Sequence, residues 1–201
     1  MTAATKTPAD TAPISRSQRL KDVTRDVHDV LDKSIMAGNI FAGREQFARF
    51  LRMQYRFHRD IEALYGNTAL CALLPNLQER RRLERIASDL SDLGTPLPAP
   101  AEGALREQAS LAEALGWLYV AEGSNLGGTI LYKFASERLG LGQSFGASHL
   151  AAHPDGAARH WREFTTALDS VQLTPEQDDE MLLAALAAFR AAQQYVHEEI
   201  Q

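Results

Sequence analysis

Along most of the chain apolar residues recur at intervals of three and four, and no stretch alternates strictly. The pattern predicts helices rather than strands. Leu20, Val23, Val27, Val30, Leu31 and Ile35 trace one face of a first helix, introduced by Ser15 or Ser17 and closed near Gly38 and Asn39. Phe47, Phe50, Leu51, Phe57, Ile61 and Leu64 trace a second, ended at Gly66. A short third helix stops at Pro75, and Leu83, Ile86, Leu90 and Leu93 carry a fourth to Gly94, a residue suited to the left-handed cap. The stretch TPLPAPAEG then joins two halves. Ser110 with Glu113, and Thr174-Pro175 with Gln177, read as capping boxes that start helices near 111 and 175. Between them GLGQSFGASHLAAHPDG is loop-like. The expectation is an all-α single domain over 15–201, a helical bundle, preceded by a disordered N-terminus over 1–14.

Composition narrows the class. The chain has 201 residues and a net charge of -5, with no dense basic stretch interleaved with aromatics, so no nucleic-acid partner is expected. Its one cysteine, Cys71, has no internal disulfide partner, and no C-x-x-C-H is present to attach a haem covalently. Residues 1–14 lack the charged and apolar regions of a secretory signal, and no run of 18 apolar residues occurs. A cytoplasmic protein is expected, with no membrane association and a monomeric state. The basic cluster RRRLER at 80–85 reads as a solvated face.

The segment GWLYVAEGSNLGG, Gly116 to Gly128, carries four glycines inside a helical pattern, where each costs about 1 kcal/mol relative to alanine. At 100° per residue Gly116, Gly123 and Gly127 share a face with Val120 and Phe134, a strip of exposed backbone against which a flat body would lie. Close helix packing is the competing reading, since small residues four apart let two backbones approach. Ser124 and Asn125 are polar groups beside the strip, placed to order water near a ligand.

Of the six histidines, His28, His58, His149, His153, His160 and His197, none has metal-ligand spacing, and each taken alone is more often structural or exposed than a ligand. His28 borders the apolar stripe of the first helix, on the side of Lys21 and Asp32. Asp32, one turn on, is placed to accept one ring N–H and leave the other nitrogen free, as an axial haem ligand requires. Lys21, two turns before, suits a carboxylate at the edge of a metal-centred disc. A solvated helix face remains the alternative for Lys21 and Asp32.

The segments RLKDVTRDVHDVLD, GWLYVAEGSNLGGTILYKFA and HLAAHPDGAARHWREF, in this order, resemble the bacterial haem oxygenases of the iron-acquisition type. The resemblance runs from about Arg16 to the last helix. It implies haem held between a proximal and a kinked distal helix, with haem b serving as both cofactor and substrate. It implies that His28 is the proximal iron ligand, and that the helix of Gly123 and Gly127 covers the distal face. It also implies that Lys21 and Tyr119 approach the propionates, that Lys133 lies near a haem edge, and that Ser124 and Asn125 hold the distal waters. Animal relatives carry an aspartate at about the position of Ser124. This chain does not, and Glu122 points elsewhere on the helix.

The implied activity is opening of the haem ring by O2 to biliverdin, carbon monoxide and iron. Electrons must come from outside, since no G-x-G-x-x-G nucleotide fingerprint follows a strand; a ferredoxin, flavodoxin or ferredoxin-NADP-type reductase is the expected partner. Arg19, Lys21, Arg25, Lys133 and Arg159 are candidates for its docking patch. A haem carrier without turnover, and a similar bundle acting on another small molecule, are the rival readings that fold alone does not separate.

Overall fold

A computed structural model of the chain describes residues 14–99 and 108–201. The stretch expected to be a disordered N-terminus lies outside the described residues save for Ile14, as does the end of the proline-rich link, from residue 100. Seven α-helices occur among the described residues, with no extended strand: α1 Arg16–Ala37, α2 Arg44–Ile61, α3 Thr68–Leu73, α4 Leu83–Asp92, α5 Leu111–Leu139, α6 Ala157–Ser170 and α7 Pro175–Glu199. One-turn 3₁₀ segments at Glu62–Gly66, Leu77–Arg80 and Ser148–Leu150 connect them.

Most expected boundaries coincide with capping chemistry. Ser15 accepts the Gln18 N–H at the start of α1, and Asn67 caps α3 by accepting from Ala69 and Leu70. Gly94 takes φ +64° after α4 and Gly140 takes φ +65° after α5. At α7 the capping box is complete, Thr174 and Gln177 each accepting the other's backbone N–H. At α5 Ser110 accepts the Glu113 N–H while its own hydroxyl lies 2.6 Å from Glu180 on α7, tying the starts of the two helices.

One buried hydrophobic cluster draws on all seven helices. The centre is α5, buried continuously from Ala114 to Glu122. Its strongest packing is with α7, and α7 in turn packs along α1 and α2. Arg16 meets Asp178 and Ser34 meets Gln193, so α1 runs alongside α7 in the same direction. Ser110 meets Glu180 and Gly116 meets Ala184, so α5 does the same. Three helices from the beginning, middle and end of the chain therefore lie parallel.

Two expectations change. Val23 and Val30 are exposed, at 44 % and 54 %, while Thr24 is buried in the inward line with Leu20, Leu31 and Ile35. Thr24 enters the core because its hydroxyl donates to the Leu20 carbonyl of its own helix, so no donor is left unpaired. The 80–85 cluster is not a solvated face throughout. Arg80 and Arg82 are buried, and Arg80 carries an ion pair to Glu122 on α5.

Candidate functional site

The parallel run of α1 and α5 creates a cleft over α7. At one end Tyr119 of α5 lies beside Thr24 of α1. At the other, Phe134 of α5 packs on Phe41, which follows α1, with ring centroids 5.5 Å apart. Between these contacts α1 carries His28 one turn beyond Thr24, and α5 carries Gly123 one turn beyond Tyr119. Because the helices run the same way, both residues sit one turn in from the Tyr119 end. Phe189 of α7 sets the edge of its ring against His28, centroids 5.7 Å apart at 72°, and forms the floor.

On the α1 wall the His28 side chain is 53 % exposed and its Nδ1 lies 3.4 Å from an Asp32 carboxylate oxygen. A proton on Nδ1 would face Asp32 and leave the lone pair of Nε2 for a metal. Lys21, two turns earlier, is exposed, as is Met36, two turns later.

The α5 wall separates the glycines by role. A methyl group built on Gly116 would lie 2.8 Å from Ala184 Cβ and against the Met181 carbonyl, so this glycine serves close packing with α7 and is not part of an open strip. At Gly127 the same methyl would meet nothing within 4 Å, and at Gly123 only the Trp161 indole, at 3.6 Å. Leu126 and Ile130, about one turn beyond Gly123 and Gly127 respectively, are exposed apolar residues, Ile130 at 62 %. An open backbone strip edged with uncovered hydrophobic side chains is a surface built for a flat apolar body rather than for water.

The polar candidates lie close by. Ser124 donates to the Ala121 carbonyl at 2.7 Å, which leaves its lone pairs for an outside donor. Asn125 has a buried Nδ2 with no protein partner, a donor placed for ordered water. Tyr119 is buried against Trp161, centroids 5.4 Å apart, and burial pushes its phenol up to about 12, so it stays a proton donor. Lys133 is exposed and 3.8 Å from Glu137, which draws its charge along the helix surface. Glu122 points to the rear of α5, as the helical angle predicts.

Three residues that touch the cleft were not singled out from the sequence as site residues. Trp161 sits inside the third motif, yet its place against Gly123 and Tyr119 depends on how α6 packs. Phe189 belongs to the apolar face of α7, where periodicity cannot distinguish a core residue from one beside an imidazole. Phe41 lies in a loop with no pattern at all. Of the other histidines, His58 is buried in the core edge-on to Phe57.

A helical bundle that carries a half-exposed imidazole on one helix and, on a parallel one, two glycines open to space has the features of a haem-binding protein. The chain's sequence over residues 15–198 matches the heme oxygenase family, and the protein belongs to it. It is 42 % identical over 174 residues to the heme oxygenase PigA of Pseudomonas aeruginosa, with 87 % of each chain covered. The heme oxygenase of Neisseria meningitidis, solved with NO and CO bound, superposes with a TM-score of 0.87 at 36 % identity, covering 94 % of this chain and 93 % of that one. The heme oxygenase of Leptospira interrogans shares the fold, with a TM-score of 0.76 at 21 % identity. The protein is thus an all-α enzyme of haem cleavage, with haem as its substrate and biliverdin as its product. Its family depends on a reductase partner. No helix among the described residues is long and apolar enough to cross a membrane.

Proposed function

We propose that His28 is the axial ligand of the haem iron and that Gly123 and Gly127 lie against the opposite face of the macrocycle. The observation that carries this reading is the pairing across one cleft of a half-exposed imidazole with the two glycines whose missing side chains open onto space. The bound haem supplies the iron at which O2 is reduced, with electrons from an external donor, and the ring carbon that is oxygenated. The chain's own residues bind, orient and protonate.

Asp32 accepts the Nδ1–H of His28 and so fixes its tautomer and the orientation of its ring. Phe189, edge-on to the same ring, limits its rotation. With haem seated there, the backbone of Gly123 and Gly127 would lie against the ring and shape the space in which a bridging carbon is attacked. Ser124 lone pairs and the Asn125 amide hold the waters that deliver protons. The chain has Ser124 where animal relatives carry an aspartate, so a water network rather than a single acid carries the proton.

Lys21 anchors a propionate from the α1 side, with Tyr119 next to it at the end of the cleft. Met36 offers no competing charge at the other end. This orientation favours the α isomer of biliverdin, and Lys133, held toward Glu137, is a weak competitor. Release of iron from haem suits iron acquisition, with bilin supply as the other use of the same product. The physiological donor is a ferredoxin, flavodoxin or ferredoxin-NADP-type reductase, and the chain acts as a cytoplasmic monomer over 15–201.

Titration of the protein with haem, followed by reductant in air, tests the reading. One-to-one binding with a histidine-ligated spectrum, then loss of the haem absorption as biliverdin appears, is expected. Bound haem that persists under reductant and air would make the chain a carrier.

A further inference from the structure

The front of the glycine segment is open, and its back is held by two buried polar anchors that haem binding does not use. At the Gly123 end, Arg80 donates to Glu122 at 2.8 Å with both side chains about 1 % exposed, and Tyr65 donates to the other carboxylate oxygen at 3.4 Å. Other Arg80 donors go to the Pro75 carbonyl, to His160 Nδ1 at 3.3 Å and, at 3.2 Å, to the carbonyl of His160. Trp161, the next residue, is the one that lies against Gly123. Arg80 therefore fixes the glycine backbone and its indole neighbour through one guanidinium.

At the Gly128 end, Asp89 of α4 accepts the backbone N–H of Ser148 at 2.8 Å and of His149 at 2.9 Å, and the His149 Nδ1–H at 2.8 Å. This fastens the segment 141–150, whose Leu150 packs 3.4 Å from where a Gly128 side chain would begin. The helix between the anchors contains Gly123, Gly127 and Gly128, the residues least able to hold a helix by themselves. Hydrophobic side chains of like volume would give equal or greater stability than a buried ion pair, so the charges at Arg80 and Glu122 serve placement rather than stability.

We infer that Arg80 with Glu122, and Asp89 with His149, are positioning residues that fix the height of the Gly123–Gly128 backbone and of Trp161 above the haem plane. The inference rests on the proposed seating of haem against these glycines. Without the anchors the segment samples several heights, and the bridge presented to the oxygen is no longer single.

The test compares the wild-type chain with Arg80→Met/Glu122→Met, in which both charges leave together, and with Asp89→Asn. Amide hydrogen exchange is measured on the haem-free proteins, and haem affinity and biliverdin isomer ratio on the loaded ones. The expected result is exchange at least about tenfold faster at 123–128, with α7 unchanged, together with weaker haem binding and a mixed isomer product. Folded variants with wild-type exchange at 123–128 and a wild-type isomer ratio would overturn the inference, as would exchange accelerated equally in every helix. Failure of the wild-type chain to bind haem would instead overturn the proposed seating, and the exchange data on the free proteins would still decide whether the anchors hold the segment.

Discussion

Alanine at Gly116 and at Gly127 should change stability in opposite directions, although both glycines lie in the same helix and near the same helical angle. At Gly127 the added methyl enters open space and the backbone is helical, so the change gains the propensity difference of about 0.8–1 kcal/mol. For a domain of this size that raises Tm by about 2–4 °C. At Gly116 the methyl is forced onto Ala184 and the Met181 carbonyl of α7, both in the central packing, and overpacking of this kind costs about 1–3 kcal/mol. Thermal unfolding of the two haem-free variants reads the sign directly. Haem binding and turnover then supply the other half: Gly127→Ala should bind haem several-fold more weakly while being the more stable protein, and Gly127→Val should lose turnover while remaining folded. A destabilised Gly127→Ala would show that something covers this face. Full turnover by Gly123→Val and Gly127→Val would show that the macrocycle does not lie there.

The remaining predictions concern ligation, pH and product. His28→Ala should remove the histidine-ligated haem spectrum and leave Tm within a few degrees, because the ring is half exposed; an unchanged spectrum would move the ligand elsewhere. His58 and His160 are held at about 3 and about 4, mainly by burial and then by neighbouring cations, against about 6.5 when unfolded. Between these values the unfolded chain binds the extra protons, so the stabilisation is present above about pH 6.5 and is lost as pH falls toward 4, by up to about 1.4 kcal/mol per unit for each ring. Urea unfolding at a series of pH values checks this, and a flat profile from pH 6.5 to 4.5 would contradict it. Chromatography of the turnover product should give mainly the α isomer of biliverdin; a β or δ product would mean that Lys133 outweighs Lys21.

The helices were legible because their ends carry local chemistry. Ser15, Gly94, Gly140 and the Thr174 box mark boundaries by interactions within a few residues, which a sequence displays. His28 with Asp32 was legible for the same reason, both lying on one helix one turn apart. What escaped depends on partners far away in the chain. The four glycines share one local description, and only α7 shows that Gly116 is a packing residue while Gly127 is open. Arg80 and Arg82 sit in a run that reads as solvated, and nothing within it reveals Glu122, forty residues on, as the acid that lets Arg80 be buried. Trp161 and Phe189 follow the same rule, each placed at the cleft by a helix whose own periodicity describes only a core.

The parallel set of α1, α5 and α7 also bears on how the molecule matures. The cleft takes one wall from the beginning of the chain, the other from the middle and its floor from the end, so its contacts join residues about 160 positions apart. Contacts of such long sequence separation form late, after shorter loops have closed. On a growing chain the imidazole of His28 waits for Phe189 to be synthesised before it has a pocket. If haem seats as proposed, its capture is a readout of completed folding, and a chain interrupted before α7 carries His28 and the glycines without the helix that packs beneath them.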